Sequence, residues 1–172
     1  YHFGSKEAMV LEMLQARVKP INQRRMQYLA EAREKSAGKP LSTKDILRAL
    51  IFPIGEEIAK STHTRQTLAQ LVARTFTEPA RFIQTMHRKF FGELCEKFMD
   101  ELRKTHPTVK EQDLYWNLHL ASSSMLGALA QHRRLNDFSK GICDEEDTQD
   151  MINRLITFAT HGFEAGISRP SL

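Results

Sequence analysis

Tyr1-His2-Phe3-Gly4-Ser5-Lys6-Glu7-Ala8 is the stretch on which the fold turns. An aromatic-His-aromatic triplet meets a glycine, then a serine, then a lysine at the head of a long amphipathic run. Gly4 suits the C-terminus of a helix, because glycine enters the left-handed cap without steric cost. Ser5 suits the start of the next helix, where its hydroxyl oxygen accepts an orphan backbone N–H. The octet reads as the end of one helix, a tight corner and the start of another.

Outward from this corner, apolar residues recur at helical spacing nearly everywhere, and no stretch alternates like a strand. We expect an all-α chain of about six helices. The first runs from Lys6 to about Lys35, with Met9, Val10, Met13, Leu14, Val18 and Ile21 inward and a bend at Pro20. Ser36-Ala37-Gly38-Lys39-Pro40 is a loop. Ser42 with Asp45 is a capping pair opening a second helix to about Ala59, bent near Pro53. Thr62 or Thr64 caps a third, ending near Thr77, and Pro79 fits an early position of a fourth. That fourth helix carries Ile83, Met86, Phe90, Leu94, Phe98 and Leu102 on one stripe until His106-Pro107 breaks it. Thr108 with Glu111 opens a fifth to about Leu135. A polar loop from Asn136 follows, and Asp147 with Asp150 caps the last helix, which ends before Arg169-Pro170.

The 172 residues are enough for one well-filled domain and few for two. No apolar run is long enough to cross a bilayer, and no signal peptide is visible. Cys95 and Cys143 are too few for a disulfide framework and too far apart for a Cys-x-x-Cys site, so a reduced cytoplasm is expected. Charge is unevenly spread. Residues 1–50 hold ten Lys/Arg against five Asp/Glu, while the remainder holds fifteen against sixteen. The positive excess lies beside the opening corner, as attraction to phosphates requires, although a solvated basic helix face gives the same count.

The opening octet resembles the junction that closes the DNA-binding domain of TetR-family transcriptional regulators. In that family it joins the recognition helix of a helix-turn-helix to the first helix of the ligand-binding domain. The resemblance implies that residues 1–5 are the remnant of the DNA reader and residues 6–172 the ligand-binding and dimerisation domain. It further implies an all-α TetR-like bundle, a cytoplasmic homodimer, and a repressor released from its operator by a small apolar effector. Tyr1, His2 and Lys6 stand where the family contacts DNA phosphates. Such contacts position a reader, and base readout is expected upstream of Tyr1. Pro20, in the helix joining reader to pocket, is a candidate element of the switch.

The last two helices carry the assembly argument. In the final helix, Met151, Ile152, Leu155, Ile156, Phe158, Ala159, Gly162, Phe163, Gly166 and Ile167 fill an arc of roughly 180°, wider than the stripe of about 100° that one core requires. The helix before it contains Ala121-Ser122-Ser123-Ser124, Gly127, Ala128 and Ala130, small residues that let helix axes approach. An ordinary buried helix would show the same pattern. The family resemblance implies instead a four-helix dimer interface, for which we expect Ser122, Met125, Leu129, Ile152, Leu155, Ile156 and Phe163.

No constellation for catalysis is discernible. No His-Glu-x-x-His, zinc-spaced His/Cys cluster, Gly-rich phosphate loop or Gly-x-Ser-x-Gly elbow occurs. We therefore expect no enzyme, no metal and no cofactor. The middle of the chain is rich in large apolar side chains, and Phe76, Met86, Phe90, Phe91, Trp116 and Leu120 are the candidate lining of an effector pocket, with a plain hydrophobic core as the alternative. Leu114-Tyr115-Trp116-Asn117-Leu118-His119-Leu120 is similar to the matching helix of regulators that respond to fatty acyl compounds, which implies an effector of that kind. A helical small-molecule carrier with no DNA role is the competing reading.

Overall fold

The computed structural model describes residues 6–75, 80–131, 134–144 and 146–168. These form seven α-helices, with no strand among the described residues: α1 Lys6–Lys35, α2 Thr43–Ala59, α3 Thr62–Thr75, α4 Ala80–Thr105, α5 Glu111–Gln131, α6 Arg134–Phe138 and α7 Thr148–Ile167. The expected corner at Gly4-Ser5 and the expected role of Pro79 lie outside the described residues.

Local chemistry sets most boundaries. Ser42 is extended and its hydroxyl accepts the Asp45 N–H at 3.1 Å, opening α2. Asp147 accepts the Asp150 N–H at 2.9 Å and opens α7. Ser61, rather than Thr62 or Thr64, caps α3: its hydroxyl accepts the Thr64 N–H at 3.0 Å. The loop after α1 turns through Ala37 and Gly38, both at positive φ (50° and 84°), a geometry glycine adopts freely. Thr108 does not cap α5. The chain closes instead through Lys110, whose carbonyl accepts from Asp113 and Leu114. Of the expected fifth helix the described residues show Glu111–Gln131, and α6, Arg134–Phe138, reaches into the segment read as loop; residues 132–133 lie outside the described residues.

α2 sits at the centre, against α1, α3, α4 and α7. Ten of its seventeen residues are buried, from Thr43 to Ile58, and this explains its nearly continuous apolar sequence. At Gly55 it runs close to α7, where a Cβ would come 2.7 Å from Ile152 Cγ1. The α4 stripe points inward as its spacing requires: Met86, Leu94, Phe98 and Leu102 are buried and Phe90 is half-buried. Each such side chain contributes about 1.5–3 kcal/mol by leaving water.

Ion pairs fasten the ends. Buried Glu101 on α4 pairs with Arg33 of α1 and with Lys104. Arg103 bridges α4 to Glu111 of α5 at 2.5 Å and also reaches Asp100. Arg24 and Tyr28 of α1 both bond Glu56 of α2.

Candidate functional site

Three features stand out once the bundle is assembled: a bare apolar face, a groove beside it and a buried cation on α1. The face belongs to α5 and α7, which pack side by side. On α7 the wide apolar arc divides in two. Ile152, Leu155, Ile156, Ala159 and Phe163 point into the chain's own core, with Phe163 only 2 % exposed. The other flank carries Phe158, 67 % exposed, with Gly162 and Ala165 also on the surface. On α5 the corresponding outer side presents Trp116 and Leu120, 57 % and 55 % exposed, and Gly127 with open space at its Cα. Large apolar groups gathered on one exposed face mark a contact surface.

Of the residues expected at a dimer interface, Met125, Leu129, Ile152, Leu155, Ile156 and Phe163 are thus in the core of the single chain, and Ser122 is half-buried on the α4 side of α5. A side chain already removed from water has little surface left to offer a partner. Conversely, Leu120, expected in a pocket, stands on the outer face, and Trp116 stands at the border between that face and the groove. The sequence signal distinguishing the two flanks was weak: both are apolar, and only the larger aliphatic content of the inner flank separates them.

The groove runs between α4 and α5, has a volume of about 610 Å³, and is lined by Cys95, Gln112, Tyr115, Trp116, Leu118, His119 and Ser122. Of the remaining candidate pocket residues, Met86 is buried and Phe90 and Phe91 are half-buried on α4. Phe76, Tyr1 and His2, together with the side chain of Lys6, lie outside the described residues.

Asn22 and Arg25 of α1 reach across the bundle. The Asn22 amide donates to the carbonyl oxygen of Phe90 on α4 at 2.7 Å. Arg25, 3 % exposed, donates from Nε to the carbonyl oxygen of Leu50 on α2 at 2.7 Å. Its Nη1 bonds the Asn22 oxygen at 2.9 Å and its Nη2 points at Met125 Sδ on α5 at 3.7 Å. Burial lowers the Arg25 pKa to about 10, with Cys95 acting the other way, so the guanidinium stays charged at neutral pH. Sequence reasoning missed both residues, since a charged position on a long helix reads as solvent-facing.

Among the described residues, no group of three or more His, Cys, Asp or Glu side chains could hold a metal ion, and no helix is long and apolar enough to cross a membrane.

Residues 48–162, well over half of the chain, match the family model described as Tetracyclin repressor-like, C-terminal domain. The chain belongs to the TetR family. The match begins inside α2 and ends inside α7, so it takes in the groove, most of the central helix and most of the α5–α7 face. Membership in the TetR family points to a regulator. No curated protein matches the chain.

Proposed function

We propose that this chain is the effector-sensing and dimerising part of a DNA-binding transcriptional repressor. It acts as a cytoplasmic homodimer and leaves its operator when a small, largely apolar molecule binds. The observation that carries the reading is the bonding of α1 to its neighbours in a TetR-family chain: Asn22 holds α4, and Arg25 holds α2 and α5. A molecule that binds one arrangement of α4 and α5 better than another shifts the population toward it. Those bonds carry the shift to α1.

α1 begins at Lys6, beside Tyr1 and His2, the residues we assign to DNA phosphates. In a dimer the two readers must match half-sites about 34–36 Å apart, so a modest change in the angle of α1 breaks the fit. The outer faces of α5 and α7, through Trp116, Leu120, Phe158 and Gly162, supply the dimer contact.

Selection of genomic fragments by the full-length gene product tests this reading. A regulator retains a discrete set of fragments, and a library of apolar compounds contains members that release them. Retention of no sequence above random DNA sinks the reading and leaves a helical carrier.

A further inference from the structure

Phe138 and Ile142 are the most exposed large apolar side chains among the described residues, at 87 % and 88 %. Phe138 ends α6, and Ile142 stands on the turn that follows. This exposure does not come from a slack loop. The Ser139 N–H donates to the Leu135 carbonyl oxygen at 2.9 Å and the Gly141 N–H to that of Asn136 at 2.9 Å. The Cys143 N–H donates to the Ser139 hydroxyl at 3.0 Å, and Glu146 pairs with Arg65 of α3 at 2.6 Å. Polar groups of the segment are bonded within the chain while its two largest apolar groups are left in water, the mark of a contact surface.

Beside them lies a cleft of about 500 Å³ between α5, α6 and the start of α7, lined by Gly127, Ala128, Leu135, Phe138 and Met151 together with three polar side chains. Its walls continue the outer face of α5 and α7. Gly127 lies seven residues beyond Leu120 on α5, and Met151 seven before Phe158 on α7, so each pair shares one side of its helix. Projection and cleft thus sit side by side at one end of that face. A two-fold contact presents the same patch from both subunits, so a patch holding both a knob and a hole complements itself. Charge disfavours other occupants. Residues 134–147 hold two Lys/Arg against five Asp/Glu, a balance that anionic phospholipid and nucleic acid repel. Two of those acids are engaged within the chain, Glu146 by Arg65 and Asp147 as the cap of α7.

We propose that residues 134–144 belong to the dimer contact: Phe138 and Ile142 of each subunit lie in the cleft of the other. The inference deepens the dimer reading above and rests on it, adding a contact outside α5 and α7.

Cys143 follows Ile142 and is exposed, and the chain's other cysteine, Cys95, is half-buried. In the 172-residue chain carrying Cys95→Ser, the rate of Cys143 alkylation by N-ethylmaleimide therefore reports on this segment. The dimer should react several-fold more slowly than a Leu120→Arg monomer. Phe138→Ala should fold normally, because that side chain is in water in the single chain. It should raise the dimer dissociation constant about tenfold or more in sedimentation equilibrium, and Ile142→Ala should do the same. A wild-type dimer whose Cys143 reacts at the monomer rate, and whose dissociation constant ignores both substitutions, overturns the proposal and leaves the α5–α7 dimer standing. A wild-type chain that is monomeric throughout overturns both. Phe138-dependent sedimentation with phosphatidylglycerol vesicles overturns it in favour of a membrane surface. The alkylation comparison decides alone should Phe138→Ala not fold.

Discussion

The Asn117 side chain on α5 fills the space that a Cβ on Gly166 of α7 would need. Asn117 is buried and anchored, its amide donating to the carbonyl oxygen of Asp113 at 2.8 Å. The two helices approach as closely as they do at this end because residue 166 has no side chain.

Gly166→Ala should therefore destabilise the fold, by about 1–2 kcal/mol from overpacking. The sign is diagnostic, since glycine to alanine in an open helix stabilises by about 1 kcal/mol. Denaturant unfolding measures it, and adding Asn117→Ala should recover most of the loss.

The outer face of α5 and α7 gives a second expectation. Leu120→Arg and Phe158→Arg place charge on surface that is already exposed in the single chain, so each should yield a folded monomer in sedimentation velocity. Phe163→Arg should behave differently, unfolding the domain by burying an unpaired charge. A wild-type monomer, or dimers in both surface variants, would refute the interface.

His106 supplies a pH dependence. Its Nε2 lies 2.9 Å from Thr43 Oγ1 and its ring stacks on Phe163 at 6.0 Å. Burial holds its pKa below the ordinary value, with Glu164 acting the other way. The unfolded chain thus binds more protons at this site than the folded one, and stability rises with pH. The contribution is complete above the unfolded value of about 6.5 and is lost as pH falls below it. His106→Gln should flatten the stability change between about pH 7.5 and pH 5.5, seen as a smaller shift in denaturation midpoint.

At the start of α3, Ser61→Ala should cost about 1 kcal/mol, because it removes the acceptor of the Thr64 N–H. Thr62→Ala should cost less, since Thr62 is exposed inside the first turn. Equal losses at the two positions would show that the cap is shared.

In the full-length regulator, Lys6→Ala should weaken operator and random DNA about equally and lower the salt slope by about one phosphate contact. A loss confined to the operator would assign Lys6 to base readout. Gel shifts over a salt series distinguish the two.

Helix order and most boundaries were legible because they depend on neighbours in the chain. Ser42 and Asp147 cap as their spacing implies, and Pro107 stands just beyond the end of α4. Thr108 failed because its spacing to Glu111 is necessary for a capping box and insufficient for one; the turn through His106 and Val109 delays the helix to Glu111. The face of each helix was legible wherever one sector is apolar, as on α4. It was not legible on α5 and α7, whose two apolar sectors serve different partners: Met125 and Leu120 differ in burial (5 % against 55 %) far more than in hydrophobicity. Arg25 was not legible, since no local pattern marks a charged residue whose acceptors sit on α2 and α5.

Asn22 grips the main-chain oxygen of Phe90, and Arg25 that of Leu50, rather than their side chains. Every amino acid offers the same carbonyl. Substitutions at residues 50 and 90 can change the side chain without cutting these links to α1. Under the role proposed above, such wiring lets a lineage of sensors change its chemical vocabulary while keeping its mechanical output, so ligand preference and signal transmission are free to evolve on separate schedules.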